Sequence, residues 1–250
     1  MRIDFNGQVA LVTGGTRGIG QQIAEDLFDL GANLILTGTN NKQIEELNRS
    51  LPAEKRKRIK YIAADFKDSE SIKKFTEELA DYEKIDVCVN NAGINRINFI
   101  DETLLEDWDD ILTVNLKAPF MIIRAIANTM KKNNYGRIVN IASIFGVVSR
   151  VKRSIYSTSK FGLRGLTVSV ANELAKYNIL INSVSPGFVL TELTKSILSA
   201  EEMEELALQV PAGRLATPDE ISRVVIFLAS SLNTYMAGQN IIVDGGFVNV

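Results

Sequence analysis

The sequence predicts a single α/β domain built on a doubly wound sheet of seven parallel strands, with helices on both faces. Short apolar runs rich in β-branched residues alternate with longer amphipathic segments along all 250 residues. Alternation of this kind is typical of repeated strand–helix–strand units with right-handed connections. Most of the apolar runs also lack in/out alternation, as expected of strands that are buried on both faces of a parallel sheet.

Seven segments are predicted as strands. They are Val9–Val12, Asn33–Thr37, Ile59–Ala63, Asp86–Val89, Arg137–Ile141, Ile179–Val184 and Asn240–Val243. Helical periodicity is predicted at Ile19–Leu30, Gln43–Ser50, Ser69–Tyr82, Phe161–Tyr177 and Pro218–Ala229. No linker rich in Pro, Gly or Ser and no repeat interrupts the pattern, so residues 1–250 are expected to form one domain.

Composition narrows the range of functions. The chain has 28 basic and 30 acidic side chains and a net charge of −2, which offers no basic surface for nucleic acid or a membrane. The single cysteine, Cys88, excludes an internal disulfide and fits a reducing compartment, so a cytoplasmic location is expected. Histidine is absent. This absence excludes Ser-His-Asp and Cys-His pairs and histidine-bearing metal sites, and we expect no metal.

A glycine-rich turn follows the first predicted strand. It reads Thr13-Gly14-Gly15-Thr16-Arg17-Gly18-Ile19-Gly20, and a helix is predicted to begin at about Gly18. Glycines let a pyrophosphate approach backbone N–H groups that a Cβ would shield, and the helix N-terminus adds a favourable dipole. A strand-to-helix turn without a ligand is the alternative, but the position of the turn favours a Rossmann-type dinucleotide site.

The end of the second strand indicates which dinucleotide is bound. Domains that prefer NAD place an acidic residue about 20 residues after the glycines. Here residues 36–41 read LTGTNN and contain no Asp or Glu. Arg17 can face a 2′-phosphate through a charge-assisted hydrogen bond, although it also fits a solvated surface position. NADP(H) is therefore predicted in preference to NAD(H).

Tyr156 and Lys160 form a Tyr-x3-Lys pair whose side chains share one face of a predicted helix. A free phenol has a pKa near ~10. A neighbouring ammonium group, together with a positive nicotinamide ring, is expected to lower that pKa. The phenol can then donate a proton to a carbonyl oxygen or accept one from an alcohol. Ser143 follows the fifth strand, where parallel strands build ligand crevices, and its hydroxyl is expected to hydrogen-bond the same oxygen.

Seven motifs together resemble the short-chain dehydrogenase/reductase family over essentially the whole chain. They are TGGTRGIG at 13–20, NNAG at 90–93, TVN ending at 115, IAS ending at 143, YSTSK at 156–160, SPG at 185–187 and VDGG at 243–246. The pattern is most similar to that of 3-oxoacyl-acyl-carrier-protein reductases. The resemblance implies reversible hydride transfer between NADP(H) and a ketone or secondary alcohol. It also implies homodimers or homotetramers that pair through helices beginning near Lys117 and Tyr156.

The resemblance implies roles for individual residues. Asn115 would complete a catalytic tetrad with Ser143, Tyr156 and Lys160, by holding a water molecule in a proton relay. The implied cofactor contacts are Gly14, Thr16, Arg17, Gly18, Ile19, Gly20, Thr39, Asp65, Phe66, Asn91, Ala92, Gly93, Tyr156, Lys160, Pro186, Gly187, Val189 and Thr191. Structural alternatives stay open, because Asn115 can kink a helix, Asp65 can stabilise a turn, and NNAG can form a turn by itself.

The loop before Tyr156 departs from the family pattern. Residues 147–154 read VVSRVKRS and carry three cations, where most relatives have glycine or small residues. Apart from a solvated loop, this composition favours an anionic substrate or an acidic carrier protein. Arg150, with Arg96, is predicted to contact the substrate beside Ser143 and Tyr156.

Several substrate classes fit the motifs. A 3-oxoacyl thioester is the first substrate predicted, and a keto-sugar, sugar acid or other small ketone is the alternative, because pocket residues change without changing the motifs. A non-catalytic scaffold that senses NADP(H) is the alternative of another class.

Residues 190–210 are predicted to form an amphipathic helix pair, in the region where the family keeps a mobile substrate lid. Their apolar side chains are Leu193, Ile197, Leu198 and Met203. These side chains are predicted either to cover a substrate and exclude water or to belong to the core.

Overall fold

Seven strands form one parallel sheet in the computed structural model, which describes residues 3–249 apart from the side chains of Leu193 and Ile197. The strands are β1 Val9–Val12, β2 Asn33–Gly38, β3 Ile59–Ala63, β4 Val87–Asn90, β5 Gly136–Ile141, β6 Ile179–Pro186 and β7 Asn240–Val243. Their order in the sheet is β3-β2-β1-β4-β5-β6-β7. The predicted doubly wound α/β fold with seven parallel strands is therefore confirmed.

Helices connect the strands on both faces of the sheet. They are α1 Gly18–Asp29, α2 Asn41–Ser50, α3 Ala53–Arg56, α4 Ser69–Ala80, α5 Leu105–Leu112, α6 Ala118–Asn133, α7 Ser154–Leu174, α8 Glu192–Ile197, α9 Ala200–Leu208 and α10 Pro218–Ala229. A π turn, Thr113–Lys117, joins α5 to α6, and a 3₁₀ turn, Ile144–Gly146, precedes α7. Within residues 3–249, no helix has the length and apolar composition needed to cross a membrane.

Two apolar layers cover the sheet. Ile23 of α1 and Val225 of α10 are fully buried on one face. Ile126 of α6 is fully buried on the other face, together with apolar residues of α4 and α7. Within β1, Leu11 and Val12 are both 0% exposed and belong to opposite layers. Burial on both faces explains why the strand sequences show no polar alternation.

The strand order reverses between β1 and β4, because β2 flanks β1 on one side and β4 flanks it on the other. In open parallel sheets, ligands bind in the crevice at the carboxyl ends of the strands beside such a reversal. The glycine-rich turn follows β1, Asn91 follows β4 and Ser143 follows β5. The motifs of the sequence therefore meet at this edge of the sheet.

Several element boundaries differ from the predicted ones, and two differences affect the site. α7 begins at Ser154, before the apolar periodicity that starts at Phe161 and close to the start near Tyr156 that the resemblance implies. In its first two turns most of the buried side chains are polar: Ser157, Ser159 and Lys160. Apolar periodicity therefore did not reveal this part of the helix. Residues 105–133 form α5, the π turn and α6, whereas the sequence predicted only a helix that begins near Lys117.

Candidate active site

The turn after β1 is shaped to bind an anion. Gly14 and Gly18 have positive φ angles of 62° and 56°, which L side chains rarely adopt. A Cβ on Gly20 would lie 2.3 Å from the carbonyl oxygen of Gly14, so only glycine lets α1 approach the turn. Arg17 occupies the N-cap of α1 without a side-chain capping bond. The N–H groups of the first turn of α1 are therefore available to a phosphate group.

The NNAG motif is tied to the glycine-rich turn. Thr13 Oγ1 accepts hydrogen bonds from the backbone N–H groups of Asn91 and Ala92, both at 3.0 Å. Asn91 Nδ2 donates to the carbonyl oxygens of Thr13, at 2.9 Å, and Gly14, at 3.1 Å. The side chain of Asn91 is therefore used to hold the crevice together. Its backbone, with Ala92 and the exposed Gly93, is the part that can face a ribose.

Arg17 and Thr39 lie where the ends of β1 and β2 meet. Thr16 packs against the end of β2, as shown by the 2.9 Å that would separate a Cβ on Gly38 from the Thr16 methyl group. Arg17 and Thr39 are both exposed, and Arg17 forms no ion pair in the part of the chain that the structure describes. An unpaired guanidinium beside a hydroxyl fits the 2′-phosphate of NADP.

Asp65 and Phe66, which the resemblance places at the adenine of the cofactor, differ in exposure. Asp65 is exposed, and its Oδ1 accepts a hydrogen bond from the Lys67 N–H at 3.0 Å, which stabilises the turn after β3. The ring of Phe66 is only 3% exposed and packs against Phe75, with ring centroids 5.6 Å apart. The ring of Phe66 therefore belongs to the core, its backbone is the part available to a cofactor, and the predicted cofactor contact stays a prediction.

The π turn between α5 and α6 holds Asn115 in a buried position. Its Oδ1 accepts a hydrogen bond from the Ile94 N–H, and its Nδ2 donates to the Ile94 carbonyl oxygen, both at 2.9 Å. Nδ2 also donates to Ser159 Oγ at 3.0 Å. Asn115 therefore links the loop after β4 to α7. Irregular π turns inside α-helices occur frequently at functional sites.

Lys160 is buried beside Asn115. A Cβ on Gly93 would lie 3.4 Å from Asn115 Oδ1 and 3.5 Å from Lys160 Nζ, so the two side chains flank the same residue. Lys160 Nζ donates to the Ile141 carbonyl oxygen at 2.8 Å. Burial lowers the pKa of Lys160 to about 8, because an ammonium ion loses hydration inside the protein.

Tyr156 lies between Ser143 and Lys160. Lys160 Nζ is 5.7 Å from the centroid of the Tyr156 ring, and the Ser143 hydroxyl is close enough to hydrogen-bond the phenol. Ser143 Oγ also accepts a hydrogen bond from the Phe145 N–H at 3.1 Å, which fixes its orientation. The structure therefore brings Ser143, Tyr156 and Lys160 together at the end of β5.

The pKa of Tyr156 departs from the predicted direction. Burial raises this pKa above the ordinary phenol value, while the hydrogen bond with Ser143 and the charge of Arg153 act to lower it. Lys160 is not among the groups that shift this pKa in the protein alone, and the joint effect of Lys160 and a positive nicotinamide ring stays a prediction. Arg153 is the cation that acts on the phenol, and the sequence analysis did not single it out among the three cations of its loop.

The structure does not bring the predicted substrate cations Arg96 and Arg150 to the phenol. Arg96 Nε lies 3.5 Å from Asp107 Oδ1, and Arg96 lines a small cleft with Asp107 and Lys152. Arg150 is exposed, and its charge acts on the neighbouring Arg153. Both predicted residues therefore lie outside the group formed by Ser143, Tyr156 and Lys160.

The segment after β6 closes the crevice over the glycine-rich turn. Pro186 ends β6, and the Gly187 N–H donates to the end of β7 at 2.9 Å. The side chain of Val189 is 8% exposed and belongs to the core, and its carbonyl oxygen accepts hydrogen bonds from the Thr191 N–H and from Thr194 Oγ1. A Cβ on Gly18 would lie 3.5 Å from Thr191 Cγ2. Thr191 therefore lies against the glycine-rich turn.

The predicted helix pair at 190–210 is present as α8 and α9. Ser199 and Glu202 form a capping box at the start of α9. Leu198 and Met203 are half-buried, and the side chains of Leu193 and Ile197 lie outside the described residues. Movement of the pair as a substrate lid stays a prediction.

Known proteins match this chain along its length. Residues 8–202 match the model of the family described as short chain dehydrogenase. A 3-oxoacyl-(acyl-carrier-protein) reductase FabG of Aquifex aeolicus (strain VF5) is 40% identical, over 98% of this chain and 99% of its own. The protein of the same name from Escherichia coli (strain K12) is 37% identical, over 99% of this chain and 100% of its own.

A solved structure also matches the fold of this chain over nearly its full length. A gluconate 5-dehydrogenase from Burkholderia cenocepacia J2315, in complex with NADP and tartrate, superposes with a TM-score of 0.89 at 30% identity, and the match covers 99% of this chain and 97% of that one.

Proposed function

The chain belongs to the short-chain dehydrogenase family, and from this premise we propose that it catalyses reversible hydride transfer between NADP(H) and a ketone or secondary alcohol. Its family makes it an oxidoreductase that acts on CH–OH and C=O groups. The observation that carries the proposal is the meeting of Ser143, Tyr156 and Lys160 at the edge of the sheet that also bears the glycine-rich turn. When bound, the dinucleotide supplies the hydride.

Tyr156 holds the proton that is exchanged with the substrate oxygen. Because burial raises its pKa, the phenol is protonated at neutral pH, which is the form that donates to a carbonyl oxygen during reduction. The Ser143 hydroxyl donates a second hydrogen bond to that oxygen and stabilises the negative charge that develops on it.

Lys160 and Asn115 are proposed to assist the proton transfer by Tyr156. With a pKa of about 8, the Lys160 ammonium is mostly charged at neutral pH, so it stabilises the phenolate that remains after proton transfer. Asn115 fixes the loop after β4 against α7, and its carbonyl oxygen lies on the same side of Gly93 as Lys160 Nζ. This arrangement supports the proposed role of Asn115 in a proton relay through water.

We propose NADP(H) as the preferred dinucleotide. The support is the unpaired, exposed Arg17 beside Thr39 and the absence of an acidic residue at 36–41. The similar gluconate 5-dehydrogenase was solved with NADP. The Michaelis constant is expected to be lower for NADPH than for NADH by roughly tenfold or more, the value of one hydrogen bond to a charged group. A preference for NADH of that size would contradict this assignment.

The names of the similar proteins indicate two classes of substrate. Two curated relatives carry the name of 3-oxoacyl-(acyl-carrier-protein) reductase, which makes a 3-oxoacyl thioester the first candidate. The solved neighbour is a gluconate 5-dehydrogenase, which makes a keto-sugar acid the second. The charge of Arg153 beside the phenol of Tyr156 favours the second candidate, because a sugar acid carries a carboxylate.

Deuterium transfer tests the proposed reaction. The purified protein is incubated with NADPH deuterated on the nicotinamide ring and with a panel of 3-oxoacyl thioesters, 3-oxo acids and keto-sugar acids. We expect deuterium on the carbinol carbon of the product for at least one class. If NADPH binds but no product of any class carries deuterium, the proposed reaction is contradicted and a non-catalytic NADP(H)-sensing scaffold is favoured.

We also propose a homodimer or homotetramer. Exposed apolar side chains lie on the helices predicted to pair, and they are Phe120 on α6 and Phe161 and Val168 on α7; Trp108 of the adjoining α5 is exposed as well. A groove of about 440 Å³ lies between these helices, lined in part by Leu112, Leu116 and Leu166. The free thiol of Cys88 supports the proposal of a reducing, cytoplasmic location.

A further inference from the structure

Arg153 brings an unpaired guanidinium group to the catalytic phenol. The residue occupies the N-cap of α7. Its Nη1 is buried and has no hydrogen-bond partner, and within residues 3–249 no carboxylate forms an ion pair with it. A buried donor without an acceptor costs free energy. A ligand that brings an acceptor would therefore supply the partner that Arg153 Nη1 lacks.

Aromatic rings fix the position of Arg153 on the wall of the crevice. The guanidinium carbon lies 5.4 Å from the centroid of the Phe145 ring. The Phe145 ring stands edge-on to the Tyr156 ring, with centroids 6.4 Å apart, and edge-on to the Phe188 ring at the same distance. Arg153 and Tyr156 therefore pack near the same ring, and the charge of Arg153 acts on the phenol.

We propose that Arg153 binds a carboxylate of the substrate and so selects an oxo acid over a neutral ketone, ester or thioester. This inference rests on the proposed reaction and specifies its substrate class. A carboxylate offers two acceptor oxygens that match the planar guanidinium fork, and its charge compensates that of the half-buried guanidinium. A thioester carbonyl offers one neutral acceptor and leaves the charge of Arg153 uncompensated.

The other two cations of the loop, Arg150 and Lys152, do not share the surroundings of Arg153. Arg150 is exposed, and Lys152 Nζ lies 4.3 Å from the centroid of the Phe99 ring. Neither contacts the phenol, so their effect on an anionic substrate is limited to attraction from a distance, which salt screens. Arg150 is therefore a suitable control for Arg153, with the same charge in the same loop.

Steady-state kinetics with acids and their methyl esters test the inference. The substrates are acetoacetate and 5-ketogluconate, each compared with its methyl ester. In Arg153→Gln we expect kcat/KM for the acids to fall by roughly 10- to 100-fold, the value of hydrogen bonds to a charged group, while the esters change by less than about threefold. Arg153→Lys should retain part of the preference for acids, and Arg150→Gln should behave as the wild type.

Two outcomes would overturn the inference. If Arg153→Gln slows acids and esters equally, Arg153 acts through the phenol of Tyr156 and not on a carboxylate. If neither acids nor esters change, Arg153 does not contact the substrate. Cooperative thermal unfolding of each variant at the wild-type temperature excludes a folding defect as the cause.

Binding of tartrate separates a failure of this inference from a failure of the proposed reaction. Tartrate is titrated by calorimetry into protein saturated with NADP⁺, so the readout needs no turnover. If the wild type reduces no ketone, tartrate binding by itself still tests the proposed carboxylate site. Binding that Arg153→Gln weakens roughly tenfold or more, but Arg150→Gln does not, would support the carboxylate site. Absent binding, or binding independent of Arg153, would overturn it.

Discussion

Lys160 carries its ammonium group inside the fold, where the Ile141 carbonyl oxygen accepts a hydrogen bond from it at 2.8 Å. Burial lowers its pKa from 10.5 to about 8. Between these two values the folded protein binds fewer protons than the unfolded chain, so stability rises with pH across this window. Below the window both states are protonated, and burial of the charge costs roughly 3 kcal/mol.

Lys160→Met tests this cost. We expect the variant to lose activity and yet be as stable as the wild type at neutral pH, because the cost of burying the charge disappears. The loss of a partner for the Ile141 carbonyl offsets this gain by about 1–3 kcal/mol. Between about pH 8 and pH 10 the wild type should gain stability relative to the variant. Urea unfolding at several pH values measures the difference, and a difference that stays constant would contradict the lowered pKa.

The sequence was sufficient to bring Ser143, Tyr156 and Lys160 together, because each follows or faces the end of a strand whose position the apolar pattern predicts. It was not sufficient for Arg153. Three cations lie within four residues of that loop, and all are strongly polar, so hydropathy does not distinguish the one that turns inward. Which of them turns inward depends on α7 beginning at Ser154, which places Arg153 at the N-cap.

At the scale of elements, the predicted and observed boundaries agree best where turn-forming residues lie at both ends of an apolar run. β1, β3, β7 and α10 have the predicted bounds. The π turn at Thr113–Lys117 was not predicted, because no helix was predicted before Lys117 and the turn joins two helices. That turn nevertheless directs Asn115 towards Ile94 and Ser159.

The contact between α1 and the glycine-rich turn is tested by Gly20→Ala. The added Cβ would lie 2.3 Å from the Gly14 carbonyl oxygen and 2.4 Å from Asn91 Nδ2, so the helix or the turn must move. We expect the free energy of unfolding to fall by about 1–3 kcal/mol and NADPH binding to weaken, as measured by urea unfolding and by NADPH fluorescence.

The matched control for this variant is Gln21→Ala, at the next position of α1, where the side chain is exposed. Its free energy of unfolding should stay within about 0.5 kcal/mol of the wild type. Equal stability and equal NADPH affinity for Gly20→Ala and Gln21→Ala would show that the close approach of α1 is not required.

At the scale of the whole molecule, the exposed apolar side chains on α6 and α7 support the proposed assembly of several subunits. Phe120, Phe161 and Val168 are 47%, 45% and 50% exposed, and clustered exposure of this kind marks interaction surfaces. The sequence identified the pairing helices only through the resemblance to a family. Hydropathy alone could not separate an interface from a core face, because both are apolar.

Phe161→Glu is expected to disrupt the proposed assembly, because a charge would be buried between subunits. Light scattering after gel filtration should give a multiple of 27.6 kDa for the wild type and a smaller mass for the variant. Leu208→Glu, an exposed apolar position on α9, should leave the mass unchanged. A wild-type mass of one subunit would contradict the assembly.

The central claim is that the Tyr156 phenol exchanges a proton with the substrate oxygen. Stopped-flow measurement of NADPH oxidation in a single turnover, with saturating ketone, tests it most directly. For Tyr156→Phe we predict a rate lower by roughly 10²- to 10⁴-fold, with unchanged NADPH binding, while Tyr177→Phe, in the 3₁₀ turn after α7, keeps the wild-type rate. A Tyr156→Phe rate within about twofold of the wild type would contradict the account.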